Sequence, residues 1–210
     1  MLKSLQVRFN QIIETWKTKG LSSLFHEVIY INRELILVEK NLVEFQPKQL
    51  PEDKTGFGLI ELSEQIAKDR RLTYSNRIRF LKIGKNLSKG YKGFALVKNN
   101  QIIGDVWFIM RDETGALPYH PDLRWLGIKV GPGQAYLFDA FIEQDERGGG
   151  NINQFLNRAL VELKNLGFKK IYGHYMADNI PALWMHRLFG YKEVNRIKLP
   201  WYFKLSQIRY

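Results

Sequence analysis

A run of glycines between an expected strand and an expected helix is the feature of the sequence best suited to bind an anion. Residues 147–150 read Arg-Gly-Gly-Gly, after an apolar segment at 135–142 and before helical spacing of apolar residues at 152–166. Glycine lets the backbone turn sharply and approach a ligand closely. The helix that follows offers unpaired N–H groups and the positive end of its dipole, and Arg147 adds a forked donor that suits phosphate. The segment predicts a phosphate site, with a plain flexible turn as the alternative.

Two common nucleotide-binding motifs are excluded at this position. The glycines are not followed by the Lys-Ser or Lys-Thr pair of a nucleoside triphosphate P-loop. Their spacing also differs from the Gly-x-Gly-x-x-Gly of dinucleotide-binding folds.

A second motif lies one expected strand downstream of the glycine run. Asn179 and Ala182 are followed by a Gly-Tyr pair at 190–191. Together with Arg147 and Gly150, this pattern resembles the GNAT family of acyl-CoA N-acyltransferases. In that family Arg/Gln-x-x-Gly-x-Gly/Ala at a helix start precedes Asn-x-x-Ala and a later Gly-Phe.

The resemblance covers residues 56–205, and the order of the expected elements agrees with it throughout. The sequence departs from the family pattern at three positions. Ile152 replaces the last small residue of the glycine motif, and Tyr191 replaces the phenylalanine. His186 stands where the family usually has its tyrosine general acid.

The resemblance implies an enzyme that moves an acyl group from acetyl-CoA or a longer acyl-CoA to an amine of a peptide or small molecule by direct attack. It implies that the strand ending at Ile142 pairs with the pantetheine arm, and that Asn179 contacts the pantetheine or a bound water. The backbone expected to hold the pyrophosphate, beside Arg147, is that of Gly148, Gly149, Gly150 and Asn151.

Aminolysis of a thioester needs a deprotonated amine and a proton for the leaving thiolate. Glu143, at the end of the central strand, is the expected base, directly or through water, with a solvated carboxylate beside Arg147 as the alternative reading. His186 is the expected proton donor, because imidazole titrates near neutrality. The alternative for His186 is a half-buried helix histidine without a catalytic role.

The other histidines predict no metal site. His26, His120 and His174 have no ligand spacing, and the sequence contains no cysteine, which excludes a zinc-thiolate site and a cysteine nucleophile. Tyr172 and His174 alternate on an expected strand beside the acyl site, where they either line it or are ordinary sheet residues. Aromatic residues around the site fit either an apolar core or a pocket for a chain longer than acetyl.

The pattern of apolar and turn residues predicts a mixed α/β fold in which an antiparallel hairpin precedes a β-α-β unit. The resemblance implies a mostly antiparallel twisted sheet flanked by helices, with an N-terminal helical extension. A tight hairpin is expected at Asn99-Asn100, because asparagine tolerates left-handed backbone conformations. The other expected elements are helices at 2–18, 21–30 and 180–188, strands at 34–45, 57–62, 135–142 and 169–176, a loop at 112–133 and two final aromatic-rich strands. Ser63, a typical N-cap residue, and Glu64 are expected to open a helical region that extends to residue 86.

Pro47 and Pro51 mark the expected boundary between an N-terminal helical extension, residues 1–52, and the acyltransferase domain, residues 53–210. Whether the extension forms a homodimer, covers the acceptor cleft or recruits a leader peptide stays open at this point. No apolar run is long enough for a membrane span, and the N-terminus lacks a signal-peptide core. The expected location is therefore the cytoplasm.

The charge pattern leaves two alternative functions open. The chain carries a net charge of +11, and nine basic residues but one acidic residue lie between Lys68 and Lys92. Such a run attracts acidic partners, so the donor could be an acidic acyl carrier protein. Alternatively, the chain is a non-catalytic module that binds nucleic acid or protein. No RNA-binding aromatic motif or zinc finger favours nucleic acid.

Overall fold

The computed structural model describes Ile13, residues 30–31, 34–48, 56–69, 71–74, 76–147, 150–198 and 202–203. The helices expected at 2–18 and 21–30 lie outside these residues, apart from Ile13 and Tyr30. Within the described part, no helix combines the length and the apolar composition that crossing a membrane requires.

An eight-stranded sheet lies at the centre of the described chain, and it is mostly antiparallel as expected. Its strands are β2 (Glu34–Asn41), β3 (Gly58–Glu61), β4 (Thr73–Tyr74), β5 (Lys92–Lys98), β6 (Gln101–Met110), β7 (Gln134–Ile142), β8 (Lys170–Met176) and β9 (Lys192–Lys198). The order across the sheet is β3-β5-β6-β7-β8-β2-β9, with β4 also paired to β6. Two pairs, β4–β6 and β7–β8, are parallel. A separate antiparallel pair joins β1 (Tyr30–Ile31) to β10 (Tyr202–Phe203).

The helices cover both faces of this sheet. They are α1 (Glu64–Lys68), α2 (Arg77–Leu87), α3 (Pro121–Trp125), α4 (Asn151–Asn165) and α5 (Ile180–Leu188). On one face, Phe155 of α4 and Met185 of α5 pack in the cluster that contains Phe108 of β6. On the other face, Ile83 of α2 belongs to the cluster that contains Trp107. Neighbouring residues of one strand thus support two separate apolar layers, as the alternation of strand side chains requires.

The helical region expected at 63–86 consists of two capped helices, and a short strand that the sequence pattern did not predict lies between them. Ser63 Oγ accepts the N–H of Ile66 and starts α1. Asn76 Oδ1 accepts the N–H groups of two residues in the first turn of α2. Between them β4 pairs with the start of β6. Two N-cap side chains therefore define two helix starts. The loop expected at 112–133 likewise contains α3.

The strand β2 lies inside the sheet, antiparallel to both β8 and β9. Its residues Leu35, Ile36, Leu37 and Val38 are all buried, since both faces of the strand are covered. The sequence pattern places this strand in the extension 1–52. In the structure, residues 34–41 complete the sheet to which the following domain contributes the other strands.

The hairpin between β5 and β6 is confirmed, with φ angles of 48° at Asn99 and 60° at Asn100. Positive φ at both central residues is typical of the two-residue turn whose twist matches that of the flanking strands.

We expect Gly93→Ala in β5 to lower the free energy of unfolding by about 1–3 kcal/mol, the usual cost of overpacking a core. A Cβ at Gly93 would lie 2.9 Å from both the Val106 carbonyl oxygen and Cε3 of Trp107. Gly58→Ala in β3 is the matched control, because a Cβ there meets nothing within 4 Å. Urea unfolding of the two variants measures the difference, and equal stabilities would contradict the close approach.

Candidate active site

The parallel strands β7 and β8 pair at one end and separate at the other. The Cα partners are Gln134 with Lys170, Ala135 with Ile171 and Tyr136 with Tyr172, and the pairing stops there although both strands continue. A cleft of about 990 Å³ lies at the separated ends. It is lined by Asp139–Ile142 of β7, by His174–Met176 of β8 and by residues of α4 and α5.

A β-bulge shapes the β7 wall of the cleft. Asp105 of β6 pairs with Phe141 and Trp107 pairs with Phe138, so two residues of β7 lie opposite one residue of β6. Asp139, the first of the two, has a φ of 52°. This left-handed conformation is uncommon outside glycine, although aspartate adopts it more readily than most residues. Bulges of this kind redirect side chains and are common beside active sites.

A network of four charges, two of them buried and two partly exposed, holds the bulge against α2. The Arg79 side chain, 8% exposed, donates from Nε and Nη2 to the carboxylate of Asp105. It also donates from Nη1 to Oδ1 of Asp139 at 2.9 Å and from Nη2 to the Asp139 carbonyl oxygen at 3.2 Å. Lys82 Nζ lies 3.1 Å from Oδ2 of Asp139, and Trp107 Nε1 donates to Asp105 Oδ1 at 2.7 Å. Both the side chain and the backbone of the bulge are therefore fixed.

The network keeps Asp139 ionised. Burial acts to raise the pKa of Asp139, but the positive charges of Arg79 and Lys82 outweigh it and hold the pKa below its usual range. For Asp105 burial is the largest influence and raises the pKa, against the stabilising contacts from Arg79. Because Arg79 is buried and Lys82 is paired, these members of the basic run between Lys68 and Lys92 do not form a free cationic surface.

On the same face of the sheet, a hydrogen-bonded chain reaches the cleft from α3. The Tyr136 hydroxyl donates to Oδ2 of Asp122 at 2.9 Å and lies 2.7 Å from Nδ1 of His174. Trp125 Nε1 donates to the other carboxylate oxygen of Asp122, and the Asp122 N–H donates to Nδ1 of His120. His174 thus lines the cleft, whereas Tyr172 is not among the residues that line it.

Burial determines the charge states of the residues in this hydrogen-bonded chain. It raises the pKa of the Tyr136 hydroxyl, and the nearby Asp122 raises it further, so Tyr136 stays protonated. Burial also lowers the pKa of His174 from its ordinary value, although Asp122 acts in the opposite direction. The His174 ring is therefore neutral at pH 7.

His186 lies on the opposite face of the sheet from His174 and also lines the cleft. Its Nδ1 is 2.7 Å from the carbonyl oxygen of Ala182, and its ring stacks on Tyr175 with 4.7 Å between centroids. A carbonyl only accepts, so Nδ1 carries the hydrogen and Nε2 carries a lone pair. Burial lowers the pKa of His186, against a smaller opposing effect of the Ala182 carbonyl, so the ring is neutral at pH 7.

The glycine run leads to an open helix start. Arg147 lines the cleft, and its Nε donates to the Ile142 carbonyl oxygen at 3.1 Å. Gly150 precedes α4 with a φ of 83° and caps it without a side-chain hydrogen bond. A Cβ at Gly150 would meet nothing within 4 Å, so there is open space at this helix start. These features fit a phosphate group, since the first N–H groups of a helix need partners.

The predicted site residues fall into three groups. Those that line the cleft are Ile142, Arg147, Asn179 and His186. Those that lie nearby but outside the lining are Glu143, Gly150 and Asn151. Gly148 and Gly149 lie outside the described residues. Asn179 caps α5, where its Oδ1 accepts the Ala182 N–H at 3.2 Å.

The sequence did not single out the polar groups of the two networks on the α2 and α3 face of the sheet: Arg79, Asp105, Asp122, Asp139 and the Tyr136 hydroxyl. One signal was present, because Asp105 and Asp139 are single acids inside otherwise apolar strands. A buried charge is normally paired, so such acids predict a partner. Among the described residues, no group of three or more histidines, cysteines and acids could hold a metal ion.

Solved structures provide the comparison with known proteins. A GCN5-related glucosamine N-acetyltransferase region of a fungal multi-domain GH3 β-N-acetylglucosaminidase matches 80% of this chain and 21% of its own, with a TM-score of 0.56 and 16% identity. A tandem GNAT protein from the clavulanic acid biosynthesis pathway matches 86% of this chain and 55% of its own, with a TM-score of 0.51 and 11% identity. A GCN5-related N-acetyltransferase from Sphaerobacter thermophilus matches 85% of this chain and 54% of its own, with a TM-score of 0.50 and 13% identity.

The chain spans about half the length of the last two proteins and about a fifth of the first. Neither a protein-family model nor a curated protein sequence matches it. The sheet order, the separated parallel strands and these structural matches agree with one another. The chain has the fold of the GNAT N-acetyltransferases.

Proposed function

We propose that this protein is an N-acyltransferase that moves an acetyl or longer acyl group from an acyl-CoA to an amine of a peptide or small molecule. The observation that carries the proposal is the separation of β7 and β8 after Tyr136. It opens a cleft whose walls come from both faces of the sheet, so donor and acceptor can enter from opposite sides and meet between the strands.

The donor is assigned to the face that carries α4 and α5. The pyrophosphate would bind at the open start of α4, with Arg147 and the backbone of Gly148, Gly149, Gly150 and Asn151. Ile142 and Asn179, which line the cleft, would contact the pantetheine arm. Unpaired N–H groups and the helix dipole supply the attraction for an anion at this position.

The size and lining of the cleft support an acyl group longer than acetyl. Leu156, Trp184, Met185 and Leu188 contribute apolar walls on the α4 and α5 side. Ligand sites are commonly apolar with a few placed polar groups, and this cleft has that composition.

The two catalytic assignments from the sequence stay proposals. Glu143 lies outside the cleft lining, so as a base it would act through water. His186 lines the cleft on the face proposed for the donor, but its neutral ring must first accept a proton at Nε2 before it can protonate the thiolate. An acidic carrier protein as donor, a homodimer and a cytoplasmic location likewise stay predictions from the sequence.

Calorimetric titration of the full chain with acetyl-CoA and with octanoyl-CoA tests the proposal. We expect micromolar binding of at least one thioester and a loss of about tenfold or more in Arg147→Glu, which corresponds to about 1.4 kcal/mol. Arg124→Glu is the matched control, because it makes the same charge change on the exposed side of α3, away from the cleft lining.

Absence of binding of either thioester would contradict the acyl-CoA assignment. The carrier-protein donor and the non-catalytic module would then be the remaining functions. The module that binds nucleic acid is disfavoured by the structure, because Arg79 and Lys82 of the basic run are used inside the fold.

A further inference from the structure

The chain of hydrogen bonds from Asp122 through Tyr136 to His174 has no part in the mechanism described so far. It joins α3, β7 and β8, and it ends at a ring that lines the cleft. Tyr136 is 0% exposed, so its hydroxyl cannot exchange these partners for water.

The number of hydrogens available along these hydrogen bonds determines the tautomer of His174. A phenol has one hydrogen, and Tyr136 donates it to the Asp122 carboxylate, which can only accept. The 2.7 Å contact between the Tyr136 oxygen and Nδ1 of His174 therefore needs the hydrogen of Nδ1. Nε2 of the neutral ring is left with its lone pair, and it has no hydrogen bond to any described residue.

We propose that His174 Nε2 accepts the proton of the attacking amine, and that Asp122 and Tyr136 are positioning residues that hold His174 in the Nδ1–H tautomer. The proposal rests on the proposed acyl transfer. The ammonium form of the acceptor gives one proton to Nε2, and the freed nitrogen lone pair forms the C–N bond to the acyl carbon. The C–S bond breaks with its electron pair on sulfur, and the second amine proton passes to the thiolate.

The location of His174 fits this role better than that of the other candidates. His174 lies on the α2 and α3 face, opposite to the donor face where His186 lies. Asp139 also lines the cleft on the acceptor side, but Arg79 and Lys82 both bind its carboxylate and stabilise the anion. Glu143 lies outside the cleft lining.

The tautomer of His174 can be measured by NMR in the absence of substrates. Long-range ¹H–¹⁵N spectra of the full chain labelled with ¹⁵N-histidine report the protonated nitrogen in each of its four histidines. His174→Gln assigns the His174 signals. We expect the Nδ1–H tautomer in the wild type, a shift toward Nε2–H in Tyr136→Phe, and no change in Tyr91→Phe. Tyr91 is the matched control, because its hydroxyl donates to a different acceptor, the Tyr119 carbonyl oxygen.

Two amine substrates distinguish a His174 that accepts a proton from a His174 that only positions the amine. Thiol release from acetyl-CoA is followed with n-butylamine, which is protonated at neutral pH, and with hydroxylamine, which is mostly unprotonated. In His174→Gln we expect the butylamine rate to fall about 100-fold or more, the usual contribution of a general base. The hydroxylamine rate should change only a few-fold. In Tyr136→Phe the butylamine rate should fall about tenfold, as when a residue that orients a catalytic group is lost.

The outcomes distinguish this inference from the proposed function. An Nε2–H tautomer in the wild type, a tautomer unchanged by Tyr136→Phe, or equal losses with both amines would overturn the role of His174 while acyl transfer stands. A wild-type protein that neither binds acetyl-CoA nor releases thiol with either amine overturns the proposed function, and this inference with it.

Discussion

Replacing Arg79 with methionine is expected to lower the free energy of unfolding by about 3–5 kcal/mol, the usual cost of removing one partner from a buried ion pair. The variant leaves Asp105 buried without its cation, and Asp139 keeps only Lys82. Urea unfolding at neutral pH measures the loss. Arg77→Met is the matched control, because Arg77 is an exposed residue at the start of the same helix.

The pH dependence gives this prediction a second test. In the wild type the pKa of Asp139 is lowered in the folded state, so its contribution to stability is present at neutral pH and is lost as the pH falls through that value. In Arg79→Met the Asp105 carboxylate stays buried without its cation, so we expect its folded-state pKa to rise further above the usual range, and protonation of Asp105 then favours folding. The deficit should therefore shrink as the pH falls toward 4. A deficit below 1 kcal/mol at pH 7, or one that grows in acid, would contradict the buried network.

Asp139→Asn is expected to slow acyl transfer by about 100-fold, because small displacements of reacting groups have effects of this size. The carboxylate connects the bulge of β7 to Arg79 and Lys82, and the backbone of that bulge lines the cleft. Asparagine tolerates the left-handed backbone and keeps the size of the side chain, so the variant removes mainly the charge. Affinity for acetyl-CoA should change less than threefold, since the residues proposed to bind the donor lie on the other face.

Thiol release with n-butylamine and calorimetry with acetyl-CoA measure the two quantities separately. Asp145→Asn makes the same chemical change at an exposed position just after β7 and should leave both unchanged. If Asp139→Asn keeps its rate within threefold, or loses rate and affinity equally, then the charge network does not position the acceptor side of the cleft.

Local signals predicted much of the fold. The Asn99-Asn100 turn, the N-cap at Ser63 and the strand leading to the glycine run depend on residues close together in sequence, and the structure confirms them. The helix expected at 180–188 is also confirmed, where Asn179 caps the first turn. Propensity and capping act within a few residues, so a sequence pattern can express them.

Contacts between distant segments could not be predicted in this way. Tyr136 meets Asp122 and His174 at sequence separations of 14 and 38 residues, and Arg79 meets Asp139 across 60 residues. No periodicity encodes such pairs, because they depend on which strands become neighbours. The position of β2 in the sheet likewise depends on pairing between segments that are distant in sequence. Motifs predict the residues proposed to bind the donor, whereas the polar networks on the α2 and α3 face form only in the assembled sheet.

The position of β2 also determines the order in which the domain can form. Glu39 of β2 forms an ion pair with Lys170 of β8 across 131 residues. Among the described strands, β9 pairs with β2 alone. Closing so long a loop is entropically costly, and strand pairings of high sequence separation form slowly. Because β2 is synthesised before β8 and β9, both of its edges stay unpaired until those two strands have been made. The β8 wall of the cleft therefore gains its support from β2 only after the early and the late strands of the described sheet have been synthesised and have paired.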